Sequence, residues 1–302
     1  MRYGFIGLGH LGAHLAMSLA RKGFELTVND LDSAAAAPLL EAGAVWAATP
    51  KAVAEASDAV VTCLPSPKVS GAVLTGPDGI LAGLGHSGAW IEMSTLGRDE
   101  TLRLAAIARE HGIDTLEAPV TGGVHLAAQG KITVLAGGDK SLFEAHRPAL
   151  VAMGDRIFHI GPLGAAAVIK VITNMLAFIH LAADAEALML AKRAGLDLGQ
   201  AWHAIAASSG TSFVHETEGQ LILNGSYDIG FTMDLALKDL GFAMGFGRDF
   251  GVPLELVGLT EQLFVRGKSV YGGAAPSTKV AKLLEDALGT DLRAEGFPAK
   301  LV

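Results

Sequence analysis

The residue best suited to acid–base chemistry in this sequence is a single lysine, Lys170, inside a long apolar stretch. From 161 to 193 most residues are alanine, leucine, isoleucine or valine, and Lys170 is the only lysine or acid in the first half. An ammonium group without a partner is costly to bury and tends to lose its proton, so Lys170 could act as a general acid or base. Asn174 follows one helical turn later on the same face and could bind the same molecule. The alternative is a lysine whose stem covers apolar surface while its amine reaches water.

A glycine pattern near the start of the chain is typical of a dinucleotide-binding loop. The strand expected from Tyr3 to Gly7 leads directly into Gly7-Leu-Gly9-His-Leu-Gly12, and a helical pattern follows. In such a loop one glycine makes the turn, one lets backbone approach a pyrophosphate and one lets the helix pack closely. The phosphates then lie at the helix N-terminus. The spacing alone is a weak signal, which the strand and helix on either side strengthen.

The next expected strand, from Phe24 to Val28, is followed by Asn29 and Asp30. A carboxylate at this distance from the glycines can bind the hydroxyls of an adenosine ribose. It would repel a 2′-phosphate, by roughly 4 kcal/mol for unit charges about 4 Å apart at an effective dielectric constant of about 20. Leu31 follows where an arginine would offset that repulsion, so the sequence favours NAD over NADP. Alternatively, Asp30 only caps a helix that begins near Ser33.

Two further segments follow expected strands, at the end where parallel sheets bind ligands. These are Leu64-Pro65 and Ser94-Thr95. The first could also be only a rigid turn, and the second only a helix cap.

A third segment of this kind is Thr121-Gly122-Gly123. It offers a hydroxyl and backbone N–H groups that no side chain shields, which together suit a small carboxylate. A plain glycine turn is the alternative.

The pattern of elements predicts two domains. Strands and helices alternate as far as a strand expected at 156–160, which predicts a mostly parallel sheet covered on both faces. After Gly195 only helical patterns occur. We therefore expect an α/β Rossmann domain at residues 1–162 and an all-α domain at 163–302 that begins with a long connecting helix, 163–194. Lys238 and Asp239 interrupt an apolar helix of the second domain and could be only an exposed polar edge.

Composition narrows the class of partner. The chain has 302 residues and a formal net charge of −8, and no basic run is interleaved with aromatic residues, which argues against nucleic acid. The single cysteine, Cys63, excludes an internal disulfide, and the 10 histidines lack metal-type spacing. Charges in the long helix leave no charge-free run of about 18 residues for a membrane. No signal-peptide pattern precedes the first strand, so we expect a cytoplasmic enzyme.

Together these motifs resemble those of the β-hydroxyacid dehydrogenases, the family that contains 3-hydroxyisobutyrate dehydrogenase and tartronate semialdehyde reductase. The resemblance covers essentially the whole chain, with a C-terminal domain like that of 6-phosphogluconate dehydrogenase. Thr121 stands where the family usually has serine, and Thr173 where asparagine is common. The motifs that carry the resemblance, in the family's order and spacing, are Phe5-Ile-Gly-Leu-Gly-His-Leu-Gly12, Leu64-Pro65, Ser94-Thr95, Ala118-Pro-Val-Thr-Gly-Gly123, Gly161-x-x-Gly164 with Lys170 and Asn174, and Lys238-Asp239-Leu240.

The resemblance implies a role for each of these motifs. Lys170 would be the catalytic acid/base, and the substrate would be held by Thr121, Gly122, Gly123 and Asn174. Contacts to the cofactor would come from Leu64, Pro65, Thr95 and Lys238. With the residues identified above, the expected cofactor site comprises Gly7, Gly9, His10, Leu11, Gly12, Asn29, Asp30, Leu64, Pro65, Ser94, Thr95 and Lys238.

The expected activity is reversible NAD-dependent oxidation of a small 3-hydroxy acid, such as 3-hydroxyisobutyrate, to its semialdehyde. Reduction of glyoxylate or of succinic or tartronate semialdehyde, L-serine dehydrogenation, imine reduction and non-catalytic dinucleotide sensing stay open. Candidate residues for the wall of the substrate pocket are His125, Phe213 and His215. Apolar residues of the helical domain, such as Phe242 and Phe250, suggest a homodimer or homotetramer.

Overall fold

The computed structural model describes residues 1–301, which fold as two compact units. The first unit runs from Met1 to Lys170, and the second begins at Val171. The first contains a sheet with its covering helices, whereas the second is built from helices. This confirms the predicted fold class, an α/β domain followed by an all-helical one.

The sheet of the first unit is mostly parallel, as predicted. Along the sheet the strand order is β3-β2-β1-β4-β5-β6-β8-β7, and β9 pairs with β8. Within residues 1–301 the antiparallel pairs are β6 with β8 and β7 with β8, whereas β9 runs parallel to β8. The strands are β1 (Tyr3–Ile6), β2 (Leu26–Asn29), β3 (Val45–Trp46), β4 (Ala59–Thr62), β5 (Ala89–Glu92), β6 (Asp114–Glu117), β7 (Val120–Thr121), β8 (Ile132–Gly137) and β9 (Gly154–Gly161).

Both faces of this sheet are buried, because adjacent residues of the central strands enter different apolar clusters. In β1, Phe5 packs into one cluster and Ile6 into another, and Ile91 and Trp90 of β5 divide in the same way. Alternation of side chains across a strand produces this division. The helices of this unit are α1 (Gly12–Arg21), α2 (Ala37–Glu41), α3 (Pro50–Glu55), α4 (Pro67–Thr75), α5 (Arg98–Glu110), α6 (Val124–Ala128) and α7 (Lys140–Met153), with short 3-10 helices at Ser33–Ala36 and Ile80–Ala82.

The parallel strands of the first unit end in one row. Ile6, the last residue of β1, pairs with Asn29 of β2 and with Thr62 of β4. Thr62 in turn pairs with Glu92 of β5, and Glu92 pairs with Glu117 of β6. The segments that follow these strands therefore start at the same edge of the sheet, where parallel sheets bind ligands.

The long helix α8 (Ala165–Arg193) continues from the first unit into the second, close to its predicted bounds. The core of the second unit includes Leu188, Leu240 and Phe264, all fully buried. Within its described residues, β pairing is limited to a single bridge between Thr232 and Pro276. The remaining helices are α9 (Leu198–Ala206), α10 (Phe213–Asn224), α11 (Met233–Asp249), α12 (Glu255–Tyr271) and α13 (Lys282–Leu288), with a 3-10 helix at Ser277–Val280.

Helix α8 is less enclosed than its sequence predicts. Ile172, Leu176 and Leu190 are 37%, 43% and 73% exposed, although an apolar stripe around most of a helix predicts burial on most sides. By length and composition alone the helix could cross a membrane, since an 18-residue window of it has a mean hydropathy of 1.8. Core helices of soluble proteins pass the same test. The apolar surface of α8 therefore exceeds what this single chain covers.

A buried ion pair joins three helices of the second unit. His215 of α10 is 1% exposed, and its Nδ1 lies 2.5 Å from Oδ1 of Asp184 in α8. Its Nε2 lies 2.9 Å from the carbonyl oxygen of Trp202 in α9, so both ring nitrogens face acceptors, as suits a protonated imidazole. Burial alone lowers the pKa of His215, but the Asp184 carboxylate and the Trp202 carbonyl outweigh it and the pKa is raised. His215 is therefore a core residue.

The neighbouring Glu218 makes the stability of this unit depend on pH. Burial, together with the charge of Asp184, raises the pKa of Glu218 from 4.5 to about 8. The folded chain thus keeps a proton that the unfolded chain releases, so stability falls as the pH rises from about 4.5 through about 8. Glutamine mimics the protonated acid. We expect the unfolding midpoint of Glu218→Gln to exceed that of wild type by an amount that grows by roughly 2–4 °C or more between about pH 5 and pH 9.

Thermal unfolding of both proteins across this pH range measures that difference. The raised pKa of His215 also removes stability as the pH rises, but it does so in both proteins and cancels. The control is Gln220→Ala in the same helix, because glutamine has no titratable group and its removal should shift the midpoint by about the same amount at every pH. The prediction is wrong if the difference in unfolding midpoint between Glu218→Gln and wild type is also the same at every pH.

Candidate functional site

The glycine pattern forms the turn between β1 and α1. Gly12 is the buried first residue of α1, and a Cβ there would collide with the carbonyl oxygen of Gly7. Gly9 is exposed, and a Cβ on it would meet no atom of the described chain within 4 Å. His10 is exposed and Leu11 half-buried. The pattern thus combines close helix packing with an open backbone approach, as a dinucleotide loop requires.

The start of α1 is suited to an anion. No side chain within residues 1–301 caps this helix, and its first turn has no acidic residue in that range. By contrast, the side chains of Thr49, Ser66 and Asp139 cap α3, α4 and α7. The positive end of the α1 dipole is therefore not offset by a carboxylate of its own first turn. With the open space at Gly9, these residues fit the pyrophosphate of a dinucleotide.

Asp30 is held beside the glycine loop by two backbone N–H groups. Its Oδ2 accepts a hydrogen bond from the N–H of Leu8 at 2.5 Å, and its Oδ1 accepts one from the N–H of Asp32 at 2.9 Å. The carboxylate is thus tied to the segment between β1 and α1. This is the relation that a ribose-binding carboxylate and a pyrophosphate loop require.

The neighbours of Asp30 have different surroundings. The 3-10 helix that begins at Ser33 is capped by Asp32, whose side chain accepts from the N–H of Ala34 at 3.0 Å, so capping is not the role of Asp30. Asn29 is 7% exposed, and its Nδ2 donates to the carbonyl oxygen of Ala47 at 2.8 Å. Leu31 is fully exposed.

The segments after β4 and β5 are joined by a hydrogen bond. The N–H of Leu64 donates to Oγ of Ser94 at 2.7 Å, and the N–H of Ser94 donates to Oε1 of Glu92 at 2.7 Å. Ser94 is 5% exposed, whereas Thr95 is half-buried and Pro65 exposed. Burial raises the pKa of Glu92, against the hydrogen bonds from Ser94. The Ser94 hydroxyl therefore positions the Leu64 backbone, and the two predicted segments lie together.

The Thr121 segment turns from β7 into α6. Thr121 pairs with Thr133 of β8, and Gly122 and Gly123 have φ angles of +123° and +87°, which residues with a Cβ rarely adopt. Gly123 is exposed, and the other two are half-buried. His125 is half-buried, and burial lowers its pKa. The turn therefore needs glycine, also because a Cβ on Gly122 would lie 2.9 Å from the Leu126 side chain and one on Gly123 3.1 Å from the His125 ring.

Lys170 is 8% exposed in α8, and the first turn of that helix is held by Glu117, the last residue of β6. Oε1 of Glu117 accepts hydrogen bonds from the N–H groups of Gly164 at 2.6 Å and Ala166 at 2.9 Å. Its Oε2 accepts one from the N–H of Ala167 at 3.0 Å. Burial raises the pKa of Glu117, and these N–H groups oppose that shift. The buried lysine is thus carried by a helix whose start is bound to the sheet.

In the second unit, Asn174 of α8 is bound to the Lys238-Asp239 pair of α11. Nδ2 of Asn174 donates to Oδ2 of Asp239 at 2.6 Å, so the amide oxygen of Asn174 is directed away from that carboxylate. Oδ1 of Asp239, which is 1% exposed, lies 3.4 Å from Nζ of Lys238. Nζ of Lys238 also lies 5.9 Å from the centroid of the Phe242 ring. Asp239 is therefore buried and Lys238 half-buried, so the pair is not an exposed polar edge.

Two acidic residues of this region, Glu92 and Glu117, are absent from the predicted site. Each is the last residue of its strand, and the two are paired in the sheet. The signal that could have indicated them is a carboxylate at the end of a buried strand, just before a segment already singled out. Within residues 1–301, no group of three or more histidine, cysteine or acidic side chains could hold a metal ion.

Both parts of the chain match known protein families. Residues 2–161 match the NAD binding domain of 6-phosphogluconate dehydrogenase. Residues 164–284 match the family described as NAD-binding of NADP-dependent 3-hydroxyisobutyrate dehydrogenase. The two matches together span most of the chain.

Several similar individual proteins are named dehydrogenases. The chain is 34% identical to 2-(hydroxymethyl)glutarate dehydrogenase of Eubacterium barkeri over 293 residues, which are 97% of each protein. It is 35% identical to the NAD-dependent L-serine dehydrogenase of Pseudomonas aeruginosa over 246 residues, 79% of this chain and 83% of that one. Among solved structures, Mycobacterium tuberculosis 3-hydroxyisobutyrate dehydrogenase with L-serine has a TM-score of 0.84 and 27% identity, covering 94% of this chain and 99% of that one.

Proposed function

The chain belongs to the β-hydroxyacid dehydrogenase family, and we propose that it reversibly oxidises a small 3-hydroxy acid of the 3-hydroxyisobutyrate type to its semialdehyde. It is an NAD-dependent enzyme that acts on CH–OH donors. The observation that carries the proposal is Lys170, an amine on a residue only 8% exposed, in a helix that presents Asn174 one turn later.

Lys170 is the general acid and base of the proposed reaction. In oxidation its neutral Nζ takes the proton of the substrate hydroxyl, and in reduction its ammonium form returns that proton to the carbonyl oxygen. The nicotinamide ring, when bound, supplies the acceptor or donor of the hydride. Oxidation requires the neutral amine at the moment of proton transfer, and reduction requires the ammonium form.

The remaining substrate contacts are assigned by chemistry. The hydroxyl of Thr121 and the backbone of Gly122 and Gly123 would hold the substrate carboxylate. The amide of Asn174, with its nitrogen on Asp239, would present its oxygen to the substrate as an acceptor.

Most residues that would hold NAD end or follow strands β1, β2, β4 and β5 of the first unit, and the family resemblance adds Lys238. The pyrophosphate is assigned to the start of α1, whose first turn has no acidic residue within residues 1–301. The adenosine ribose is assigned to Asp30, whose carboxylate is bound beside the glycine loop by the N–H of Leu8. The other contacts are proposed on the family resemblance. The full proposed set is Gly7, Gly9, His10, Leu11, Gly12, Asn29, Asp30, Leu64, Pro65, Ser94, Thr95 and Lys238.

The compounds named for the relatives support this substrate class. 2-(Hydroxymethyl)glutarate, L-serine and 3-hydroxyisobutyrate each have a hydroxymethyl group on the carbon that bears the carboxylate, and they differ in the third substituent. L-threonate, named for other relatives, has a secondary alcohol at the same carbon. We therefore assign to the substrate of this chain a hydroxyl group on the carbon next to the carboxylate-bearing one.

A substrate panel tests the proposal. NAD or NADP reduction is followed with 3-hydroxyisobutyrate, 3-hydroxypropionate, L-serine, glycerate, threonate and 2-(hydroxymethyl)glutarate. NADH or NADPH oxidation is followed with glyoxylate, with succinic and tartronate semialdehydes and with 1-pyrroline. We expect one or more 3-hydroxy acids to reduce NAD. The matched control is isobutanol, which has the hydroxymethyl group of 3-hydroxyisobutyrate but no carboxylate. Its kcat/KM should be at least about 100-fold lower, because the polar groups built for a carboxylate are left unpaired.

Three outcomes of this panel would overturn the proposal. Equal kcat/KM values for isobutanol and 3-hydroxyisobutyrate would show that the Thr121-Gly122-Gly123 turn does not bind a substrate carboxylate. Flat traces with every compound, despite measurable NAD binding, would favour a dinucleotide sensor. Turnover of 1-pyrroline alone would indicate an imine reductase.

We also propose that the enzyme is a cytoplasmic homodimer or homotetramer. Leu256, Leu259 and Val270 of α12 are 65%, 64% and 56% exposed, as are parts of α8, and apolar surface of this kind is typically covered by a partner. Light scattering of the purified protein measures its mass. A mass of 31.1 kDa, that of one chain, at micromolar concentration would contradict the assembly.

A further inference from the structure

Glu117 makes more contacts than the end of a strand requires. The residue is 2% exposed, and its two carboxylate oxygens accept hydrogen bonds at 2.6 to 3.0 Å from three backbone N–H groups, those of Gly164, just before α8, and of Ala166 and Ala167 in its first turn. Hydrogen bonds to an ionised acceptor are stronger than those between neutral groups. A carboxylate is also favourable at the positive end of a helix dipole. The start of α8 is therefore bound at a single point.

That point is rigidly part of the sheet. Glu117 pairs with Glu92 of β5 on one side and with Gly137 of β8 on the other. Gly137 completes the arrangement, because a Cβ at this position would collide with Oε1 of Glu117 and lie 3.1 Å from the N–H nitrogen of Ala166. The absence of a side chain at Gly137 thus leaves space for the Glu117 carboxylate between the sheet and the start of α8.

The same carboxylate lies between two parts of the proposed active site. Ala166 and Ala167, which it binds, precede Lys170 by four and three residues, so they lie on the same face of α8. Side chains in a helix lean toward its N-terminus, so the lysine stem is directed toward this turn. In the other direction, Glu117 is followed four residues later by Thr121. A shift of the Glu117 contact would therefore change the position of Lys170 relative to the Thr121-Gly122-Gly123 turn.

We propose that Glu117 is a positioning residue, which sets the height and rotation of Lys170 relative to the turn that would bind the substrate carboxylate. The proposal rests on the role assigned to Lys170 above. Glu117 itself exchanges no proton with the substrate. Because misplacement of a catalytic group by about 1 Å can cost about 100-fold in rate, loss of this contact should act on turnover far more than on cofactor binding.

Glu117→Gln is the first test. Glutamine has the same length, but it can present only one acceptor oxygen, and its NH2 group would face the N–H donors of α8. We expect kcat for the fastest 3-hydroxy acid of the panel to fall roughly 10- to 100-fold, with the dissociation constant of NAD within about twofold of wild type. Gly137→Ala, which displaces the carboxylate without removing it, should lower kcat in the same direction.

Matched variants separate positioning from stability. Glu285 is also a carboxylate 2% exposed, bound by Tyr227, Leu292 and Arg293 in the second unit. Glu285→Gln should lower the unfolding temperature while leaving kcat within about twofold, measured well below that temperature. Gly71→Ala, whose Cβ would make only ordinary contacts, is the corresponding control for Gly137→Ala. If Glu117→Gln does not fold, the milder Glu117→Asp, which keeps the charge but shortens the reach, takes its place.

The double variant Glu117→Gln/Lys170→Met decides how Glu117 acts. If it acts through the lysine, the double variant is as slow as Lys170→Met and no slower, because residues that act as a unit are not additive. A further loss equal to that of Glu117→Gln alone would overturn the proposal. So would unchanged kcat in Glu117→Gln or Glu117→Asp while Lys170→Met is inactive, an outcome that leaves the role of the lysine intact. Wild-type rates in Lys170→Met would overturn both the role of the lysine and this inference.

Discussion

Lys170→Met is expected to lower kcat for the oxidation of the best 3-hydroxy acid by about 10²- to 10⁴-fold, while NAD binds as before. General acid–base catalysis contributes about that factor, and methionine resembles lysine in length but cannot exchange a proton. The position is 8% exposed, so an apolar side chain is compatible with the fold. Steady-state kinetics give kcat, and quenching of the fluorescence of the 3 tryptophans gives the dissociation constant of NAD.

Two further variants separate proton transfer from charge. Lys170→Arg keeps a positive charge, but arginine does not lose its proton in proteins, so oxidation should be nearly as slow as in Lys170→Met. Lys192→Met removes another lysine of α8, one whose Nζ lies 3.4 Å from Asp291 and whose side chain is 34% exposed. It should turn over within about twofold of wild type. Near-normal turnover in Lys170→Met with intact NAD binding would remove the lysine from the mechanism.

Strong periodic signals made most of the fold predictable. The continuous apolar run of β1, whose Phe5 and Ile6 enter different cores, and the uninterrupted helical pattern of α8 can both be recognised in the sequence without a structure. The elements that were missed are short. Strands β3 and β7 have two residues each and α6 has five, so they are fixed by pairing with neighbours and not by a period of their own.

The segments proposed for the site could be singled out from the sequence, but the contacts that orient their side chains could not. Glu117 binds Gly164 across 47 positions of sequence, and Asn174 binds Asp239 across 65. Spacing within a motif carries no information about such partners. The exposure of individual side chains could not be predicted from the sequence either, since His215 follows a serine-rich turn and yet forms a buried ion pair. Residue types and strand ends indicated candidate site residues, whereas only the tertiary structure shows which polar groups contact each other.

The largest expected change in cofactor preference comes from Asp30 and Leu31. Asp30→Asn removes the charge that would repel a 2′-phosphate, and its amide oxygen can still accept from the N–H of Leu8, which now donates to Oδ2 at 2.5 Å. Leu31→Arg adds a guanidinium suited to a phosphate, and at a fully exposed position it should cost little stability. We expect the ratio of kcat/KM for NADP to that for NAD to rise about tenfold with Asp30→Asn and about 100-fold or more with both changes.

The control for this switch is Asp32→Asn, which also removes one negative charge, two residues after Asp30. Asp32 is exposed, and its carboxylate caps the 3-10 helix. If only total charge mattered, this variant would change the cofactor ratio as much as Asp30→Asn. If the hydrogen bond to Leu8 places the Asp30 carboxylate where a ribose binds, the ratio should change by less than about twofold, because a solvent-screened charge at greater distance contributes little. Equal shifts in the two variants would show that Asp30 does not face the 2′ position, and the ribose would then have to be assigned to other residues after β2.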